Sequence, residues 1–579
     1  MPQIQVIRIV RIFRGGGTST EDKIDEADSK AGSKEGDAEA GTKSGEDDNA
    51  GEGIYDFKDN KTTGTVTITK KWDDGLTNAE REIPDMYLST EKPSKSTKGY
   101  TVTFHGNGLK FADGTDENMV VYNSSGQIVE GSYKEAVGTG VGWYSDKTCK
   151  NKVEISDDGV PQIELTGDLD LWAKEMTFEI KGYRYGAKND NEFNAVIPDA
   201  VTEVIFTDEA KPKNKEIIDV DADGDGGAVA WLDDNAGTVM KVSTQIPGVK
   251  VQAAKDSGCM FDDRSKLQKI DFKMLDTQNV TDMSYMFSGC SHLTSLDLSS
   301  LNTQKVTDMN HIFYDCSGLT SLDLTPLNTQ EVMDMDGMFN SCSRLTSLDL
   351  TPLDTSKVTS MHQMFSDCRG LTSLDLAPLN TQNVTNMSDM FYRCSGLKNL
   401  DLAPLDTQNV TDMSEMFSDC SGLTSLDLTP LNTSNVNDME SMFNGCSGLT
   451  SLDLTPLDTS KVVDMGSMFY RCSGLKSLDL TPLDTQEVRN MYQMFYGCSG
   501  LKSLNLTPLD TQNVMNMYQM FINCTSLTSL TTGTTFKFVG TGYWLPGTWQ
   551  NTAGETFNGN YNTANFPSNV ADTYTKISS

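Results

Sequence analysis

With 579 residues, the chain is long enough for several domains. Its formal net charge is −35, from 47 basic and 82 acidic residues. This balance argues against a phosphate-binding surface, because nucleic acids and anionic membranes attract basic patches. The acidic balance therefore predicts no nucleic-acid partner. No run of about 20 apolar residues occurs, so the sequence also predicts no membrane span.

Residues 1–53 predict a disordered acidic segment. The amino terminus is apolar but is interrupted by Arg8, Arg11 and Arg14, and it lacks the unbroken apolar centre and the cleavage site of a secretory signal. A disordered or mis-started terminus and a short amphipathic strand or anchor both remain open. Residues 18–53 are dominated by Glu, Asp, Lys, Gly, Ala and Ser, which cannot bury a core.

Residues 54–98 predict part of a small β module. Residues 65–69 alternate between polar and apolar side chains, and a Lys-Lys-Trp-Asp-Asp-Gly turn follows them. The stretch resembles the opening half of a Cna-B-type stalk domain. Because only that half of the pattern is present, no internal isopeptide bond is predicted.

Residues 99–175 predict a second β module. Three pieces occur in order, YTVTF at 100–104, GWYSD at 142–146 and LDLWAK at 169–174. Together they resemble the Listeria–Bacteroides repeat (the internalin B-repeat), a small β-grasp-like surface module. That resemblance implies a secreted, modular protein.

Residues 176–259 predict an amino-terminal cap for the repeats that follow. A stack of repeats needs its first unit covered, or an apolar end face is left in water. Strands are predicted at 193–198, 204–207, 229–233 and 239–242, with the last two paired around a turn.

The same segment contains an acidic loop. Asp219, Asp221 and Asp223 begin like an EF-hand, in which oxygen ligands alternate along the chain around calcium. The match then fails, because Gly226 replaces an aliphatic residue and Ala230 replaces the bidentate acid. We therefore expect an acidic turn and no cofactor, with calcium at the three aspartates as the weaker alternative.

Residues 260–530 are built from a 26-residue unit that begins at a cysteine. A fixed period of this length predicts a solenoid, in which each repeat buries its apolar residues against its neighbours. A degenerate unit with Arg264 in place of the cysteine comes first. The ladder cysteines are Cys290, Cys316, Cys342, Cys368, Cys394, Cys420, Cys446, Cys472, Cys498 and Cys524.

Numbered from its cysteine, each repeat has apolar residues at positions 1, 4, 7, 9, 12, 17, 20, 23 and 24. Leu322-Asp323-Leu324 alternates, which predicts a short strand. Met335, Met338, Phe339 and Cys342 are spaced like one face of a helix. The predicted fold class is therefore an α/β leucine-rich-repeat-like solenoid of short parallel strands and short helices, preceded by small β-rich modules.

The LxxLxL stretch followed by MFxxCSxL resembles the BspA-like branch of the leucine-rich repeats. The match covers nearly half of the chain. The resemblance implies a curved solenoid on a bacterial surface, often described as adhesive, and therefore an extracellular or cell-surface location.

Residues 531–579 are crowded with aromatic side chains. A β-rich carboxy-terminal cap is the favoured interpretation, and an exposed aromatic platform for a ligand such as sugar is the alternative. The aromatic residues are Phe536, Phe538, Tyr543, Trp544, Trp549, Phe557, Tyr561, Phe566 and Tyr574.

The ladder cysteines and the methionines predict core packing rather than chemistry. Parallel Cβ atoms about 4.8 Å apart do not suit a disulfide, so we expect buried free thiols. The four histidines form no shared constellation, and no nucleophile elbow, phosphate loop or metal-binding HExxH occurs. We therefore expect no enzymatic activity.

Two surface rows remain as candidate partner-binding sites. Position 8 is acidic in successive repeats, and this Asp row is either a surface for a cation or a basic partner or a solubility device. The Asp row comprises Asp323, Asp349, Asp375, Asp401, Asp427, Asp453 and Asp479, with Asp297 before them.

Positions 21, 22, 25 and 26 vary between repeats and hold Tyr and Arg, the residues enriched at interface hot spots. We name this set the Tyr/Arg rim. It comprises Tyr314, Tyr392, Arg393, Tyr470, Arg471, Tyr492, Tyr496 and Tyr518, with Tyr285 nearby.

The predicted function is protein binding or adhesion by a non-enzymatic surface or secreted protein, with a host, matrix or other cell-surface protein as partner. The alternative is a passive structural spacer or coat protein without a specific ligand. The identity of the ligand, the mode of anchoring and the oligomeric state stay open.

Overall fold

The computed structural model describes residues 8–11, 52–58, 63–69, 86–89 and 99–578, except 124, 139, 157, 541 and 561–564. Most of the predicted acidic segment 1–53 and much of the Cna-B-like region 54–98 lie outside the described residues. The chain divides into two compact units. One comprises Met1–Glu135, Ser145–Thr148 and Val153–Trp172, and the other Ala136–Tyr144, Cys149–Lys152 and Ala173–Ser579.

All regular elements described before residue 176 are β-strands. β2 and β3 form an antiparallel pair, which confirms the predicted strand at 65–69. The strands are β1 (Arg8–Arg11), β2 (Glu52–Lys58), β3 (Thr63–Thr69), β4 (Met86–Ser89), β5 (Tyr100–His105), β6 (Lys110–Phe111), β7 (Glu117–Tyr122), β8 (Ile128–Glu130), β9 (Ala136–Val137), β10 (Val141–Tyr144), β11 (Lys152–Val153) and β12 (Leu169–Glu175).

In the first unit, β5 pairs antiparallel with β7 and parallel with the Leu169–Trp172 part of β12. Its alternating sequence buries Val102 and Phe104 completely. Strands therefore occur at all three predicted pieces, in β5, β10 and β12. Whether they form an internalin-type module stays a prediction.

The segment before the repeats contains a five-stranded sheet in the order β14-β15-β16-β13-β18. The predicted strands at 204–207, 229–233 and 239–242 are confirmed, and the last two pair antiparallel. The elements are a 3₁₀ helix (Lys188–Asp190), α1 (Glu192–Val196), β13 (Glu203–Thr207), β14 (Ile218–Asp219), β15 (Val229–Leu232), β16 (Val239–Ser243), β17 (Val251–Gln252), β18 (Lys269–Asp271) and β19 (Leu275–Asp276).

The strand predicted at 193–198 is wrong, because α1 occupies most of it. The side chain of Asn191 accepts a hydrogen bond from the backbone N–H of Asn194 and so caps the first turn. Phe193 and Ile197 are four residues apart and both buried, which is a helical spacing. The strand was predicted from the apolar residues alone, without regard to the capping side chain of Asn191.

The predicted α/β solenoid of short strands and short helices is wrong. Strands account for 20% of the structure and helices for 2%, in several small sheets. Residues 277–502, all of which are described, contain no helix and no strand longer than a single bridge. Each repeat instead meets the next through one parallel bridge at position 19, as between Asp308 and Asp334. The repeats therefore form a stack of turns.

A left-handed backbone at positions 22 and 26 explains why no helix forms. His311 and Asp315 have φ angles of +52° and +48°, and the equivalent residues of the other repeats are also positive. Their backbone N–H groups donate to the next repeat, from His311 to Asp336 O at 2.7 Å and from Asp315 to Asn340 O at 2.8 Å. An α-helix would need these donors within its own segment.

Turns within each repeat reproduce the helical burial pattern. The Met338 N–H donates to Met335 O at 3.2 Å, and the Cys342 N–H donates to Phe339 O at 3.1 Å. All four side chains are fully buried. The prediction that these positions form the core is therefore confirmed, whereas the predicted helix is not.

Three side-chain ladders join successive repeats. Each ladder cysteine donates its Sγ–H to the phenylalanine carbonyl 29 residues earlier in the chain, as from Cys316 to Phe287 O at 3.1 Å. The position-24 phenylalanines stack, with ring centroids 5.8 Å apart between Phe287 and Phe313. Thr303 Oγ1 donates to Asn328 O at 2.9 Å and accepts from the N–H of Asn328 at 2.7 Å. Buried polar groups thus find partners in the neighbouring repeat.

The first repeat is closed by a buried arginine. Arg264 stands at position 1, and it donates to Asn194 O at 2.7 Å, to Ile197 O at 2.9 Å and to the side chain of Asn194. Its guanidinium also contacts Asp199 Oδ1 at 3.1 Å. The arginine therefore satisfies carbonyls at the end of α1, where a shorter cysteine side chain could not reach them.

The last repeats run into a five-stranded sheet in the order β20-β21-β24-β22-β23. Its strands are β20 (Ser503–Asn505), β21 (Ser529–Thr532), β22 (Thr548–Gln550), β23 (Thr556–Asn558) and β24 (Asp572–Ser578). Of the eight aromatic residues of this set that the structure describes, six are buried, namely Phe536, Phe538, Tyr543, Trp549, Phe566 and Tyr574. Burial favours the cap over an exposed ligand platform.

Replacing Arg264 by methionine is expected to destabilise the repeats by about 3 kcal/mol, because buried acceptors lose a charged donor. Urea unfolding measures the change. Lys269→Met is the control, since Lys269 is exposed on the nearby β18 and should change stability by less than about 1 kcal/mol. Equal effects of the two variants would contradict the role assigned to Arg264.

The thiols are expected to resist alkylation in the folded protein. Burial raises the pKa of Cys342 and Cys524 to about 12, so little thiolate exists at neutral pH. Mass spectrometry after brief iodoacetamide treatment should show label mainly at the partly exposed Cys149, because the pKa of the partly exposed Cys259 is also raised to about 12. In denaturant all twelve cysteines should react. Rapid labelling of the ladder cysteines in native buffer would contradict the packing.

Candidate functional site

The Asp row is exposed, and its carboxylates hold turns. Asp323 Oδ1 accepts hydrogen bonds from the N–H of Thr325 at 2.9 Å and from its hydroxyl at 2.7 Å. These bonds hold the pKa of Asp323 below its ordinary value. In the repeats of Asp375 and Asp401, alanine follows two residues later and only the backbone bond remains. The row therefore has a local structural role that the sequence prediction did not include.

Several residues of the Tyr/Arg rim contact one another, through cation–π contacts and through ring stacking. The Arg393 guanidinium lies 4.8 Å from the ring centroid of Tyr392, and Arg471 lies 5.1 Å from that of Tyr470. Both are cation–π contacts. The ring of Tyr470 also stacks on Tyr496 at 4.7 Å, so three rim residues of two adjacent repeats form one cluster.

The remaining rim tyrosines are spread along the stack. Tyr492 and Tyr518 stack at a centroid distance of 6.1 Å. Tyr314 is 37% exposed and lies apart from the other predicted rim residues, with its ring 5.5 Å from His311. Tyr285 stacks on the same histidine at 4.6 Å. The structure thus divides the predicted rim into the Tyr470–Arg471–Tyr496 cluster, the Tyr492–Tyr518 pair, the Tyr392–Arg393 pair and an amino-terminal aromatic group.

The backbone limits which side chains suit two of the four rim positions. Positions 22 and 26 are left-handed in every repeat, and Gly, Asn and Asp tolerate that conformation best. Arg393 and Arg471, each with φ of +55°, carry long side chains there at some conformational cost. Because all repeats share the conformation, it reflects the stacking and does not mark a site by itself.

A partly buried polar row at position 19 escaped the sequence analysis. Asp308 Oδ1 accepts the N–H of Asn310 at 2.9 Å. Burial raises the pKa of Asp308 to about 6, and the neighbouring Asp282 and Asp334 add to the shift. Asn386 stands at the same place and makes the equivalent bond, so a neutral side chain suffices. The recurrence of Asp or Asn at position 19 of most repeats is the feature of the sequence that could have identified this row.

The acidic loop differs from its predicted arrangement. Asp219 is mostly exposed and pairs with Lys181, with Nζ and Oδ2 2.8 Å apart. Carboxylate oxygens of Asp221, Asp223 and Asp225 converge within 4.8 Å of one another. The carboxylates that converge therefore belong to Asp221, Asp223 and Asp225, a set that begins two residues later than the predicted one.

An open cavity of about 460 Å³ lies beside the first repeat. It is lined by Tyr183, Asp256, Cys259, Asp262 and Tyr285, among other residues. Burial raises the pKa of Cys259 to about 12, with nearby carboxylates adding to the shift. A thiol in that environment is a poor nucleophile at neutral pH.

Among the described residues, no helix has both the length and the apolar character needed to cross a membrane. The fold and surfaces define a repeat protein whose candidate sites are surface rows. The chain belongs to the family described as "Mycoplasma protein of unknown function, DUF285". Three overlapping segments match, residues 235–346, 319–426 and 411–534, and together they span just over half of the chain. The narrower BspA-like assignment stays a prediction.

Comparison with curated proteins gave no match. Among solved structures, the chain is similar to one titled "Crystal structure of TLR13-ssRNA13 complex", with 17% sequence identity over 46% of this chain and 47% of that chain. The TM-score is 0.17. A superposition of that quality does not establish a shared fold.

Replacing Asp308 by asparagine is expected to stabilise the protein by about 1 kcal/mol at pH 7.5, because a partly buried carboxylate is removed. The raised pKa lets folded wild type bind a proton between about pH 6 and pH 4, where the unfolded chain does not. Wild type therefore gains stability on acidification, and the advantage of the variant should fade by pH 4. Urea midpoints at several pH values measure it.

Asp323→Asn is the matched control, because the pKa of Asp323 is lowered by its turn. Its carboxylate stabilises the folded state above the ordinary pKa, and that contribution is lost as the pH falls. The control should therefore destabilise at pH 7.5. Identical pH dependence in both variants would contradict the assignment.

Proposed function

We propose that the chain is a non-enzymatic binding protein of a bacterial surface or of the secreted fraction, and that its Tyr/Arg rim contacts a protein partner. The cluster of Tyr470, Arg471 and Tyr496 carries this proposal. The upstream resemblances to surface modules and the acidity of the chain support the location.

The cluster suits protein recognition because its side chains are already ordered. Stacked rings and a guanidinium over an aromatic face lose little freedom when a partner binds. Tyr and Arg also dominate interface hot spots, where apolar area and hydrogen-bond donors coincide. The stack supplies rigid support, since Phe469 and Phe495 directly before the cluster are fully buried.

The Asp row is a weaker candidate for specific recognition. It repeats one pattern, and a uniform surface distinguishes partners poorly. Its carboxylates also already accept hydrogen bonds from their own turns, as Asp453 does from Thr455. A basic partner or a cation at this row stays possible only as a less selective contact.

A rim variant tests the proposal in the full chain. The variant combines Tyr392→Ser, Arg393→Asn, Tyr470→Ser and Arg471→Asn. Other repeats have serine or asparagine at the same positions, as at Ser366 and Asn523. Binding to immobilised fibronectin, laminin, collagen and fibrinogen and to cultured epithelial cells is measured. We expect wild type to bind at least one surface and the rim variant to bind at least about tenfold more weakly.

Asp375→Asn with Asp453→Asn is the matched control, because these residues lie in the same two repeats but in the Asp row. The control should bind like wild type. If wild type binds none of the surfaces, or if the rim variant binds as wild type does, the passive spacer or coat protein becomes the better interpretation.

A further inference from the structure

The loop between β14 and β15 arranges three carboxylates in an order that suits a cation. Asp221, Asp223 and Asp225 alternate along the chain, and Gly226 follows with φ of +81°. Calcium loops of the EF-hand type use oxygen ligands at the first, third and fifth places and a glycine at the sixth. The loop fits this frame two residues later than the sequence analysis placed it.

Asp221 supplies an independent indication of a ligand. The residue is only 3% exposed, and its Oδ2 accepts the N–H of Gly226 at 2.7 Å. Its Oδ1 is buried and accepts no hydrogen bond of ordinary length and angle among the described residues, although the backbone N–H of Ala228 lies close to the carboxylate. A buried carboxylate oxygen without a partner is costly. A cation beside it would remove that cost.

The lysine at this site is the competing cation. Lys174 Nζ lies 3.1 Å from Asp223 Oδ2 and 3.2 Å from Asp225 Oδ2. The Lys174 side chain is 37% exposed, so it can turn into solvent. Lys174 contacts two of the three carboxylates, Asp223 and Asp225, and a second ammonium, that of Lys152, lies beside Gly226. Asp225 is further anchored by the N–H of Thr177 at 2.9 Å, which holds it in place when the lysine leaves.

We propose that this loop binds Ca²⁺ through Asp221, Asp223 and Asp225, in competition with the ammonium of Lys174. Calcium suits the site better than magnesium, because it accepts irregular sets of oxygen ligands whereas magnesium demands a near-ideal octahedron. Leu232 stands where an EF-hand has its bidentate acid. Affinity should therefore be modest, with a Kd of about 10⁻⁴–10⁻³ M, the range of extracellular calcium modules.

Calorimetric titration of the full chain with CaCl₂ tests the site, and thermal unfolding with CaCl₂ or MgCl₂ at matched ionic strength gives a second measure. We expect calcium, and not magnesium, to raise the melting temperature by about 1–3 °C. Asp223→Asn should weaken calcium binding at least about tenfold, because one ligand charge is lost. Lys174→Gln should strengthen it severalfold, because the competing cation is gone.

Asp219→Asn is the control, because Asp219 pairs with Lys181 outside the trio, and it should bind calcium like wild type. The proposal is overturned if neither wild type nor Lys174→Gln responds to calcium differently from magnesium. It is also overturned if Asp223→Asn and Asp219→Asn respond alike. Unchanged affinity in Lys174→Gln would overturn the competition.

Discussion

The backbone hydrogen bonds between successive repeats are the constraint on which the structure depends. At positions 22, 24 and 26 the N–H groups point to the next repeat, as those of His311, Phe313 and Asp315 do. Alternate donors also point the same way along an extended strand, but here the chain turns between them and buries its apolar side chains. The left-handed residues at positions 22 and 26 provide those turns. Stacking and local conformation therefore require each other.

The same constraint separates core from surface. Side chains at the buried positions must fit identical neighbours above and below, so cysteine, threonine and phenylalanine recur with little change. Cys394 and Thr381 show the consequence, since Cys394 donates to the carbonyl of Phe365 and Thr381 donates to that of Asp406 in the next repeat. Only outward-facing positions are free to differ. The positions of the Tyr/Arg rim are among those that the stacking leaves free to differ.

The two ends of the stack need other solutions. Arg264 replaces the thiol in the first repeat and bonds to the end of α1. At the far end, β24 pairs antiparallel with β21, and buried aromatic residues such as Trp549 and Tyr574 cover the last core. The apolar core is continuous between these ends. The stability of such a stack depends on how well the apolar faces at its two ends are covered.

The repeat length, the buried positions and the free thiols follow from the amino-acid sequence alone, because periodicity reports directly which side chains face inward. It did not determine the backbone. The spacing of Met335, Met338, Phe339 and Cys342 is the same for a helix and for successive turns bonded to a neighbour. Only the tertiary structure decided between them, since the deciding hydrogen bonds join residues about 25 apart, such as His311 and Asp336. The composition of the acidic trio was likewise visible only in the structure. The carboxylate of Asp225 lies beside those of Asp221 and Asp223, whereas that of Asp219 pairs with Lys181.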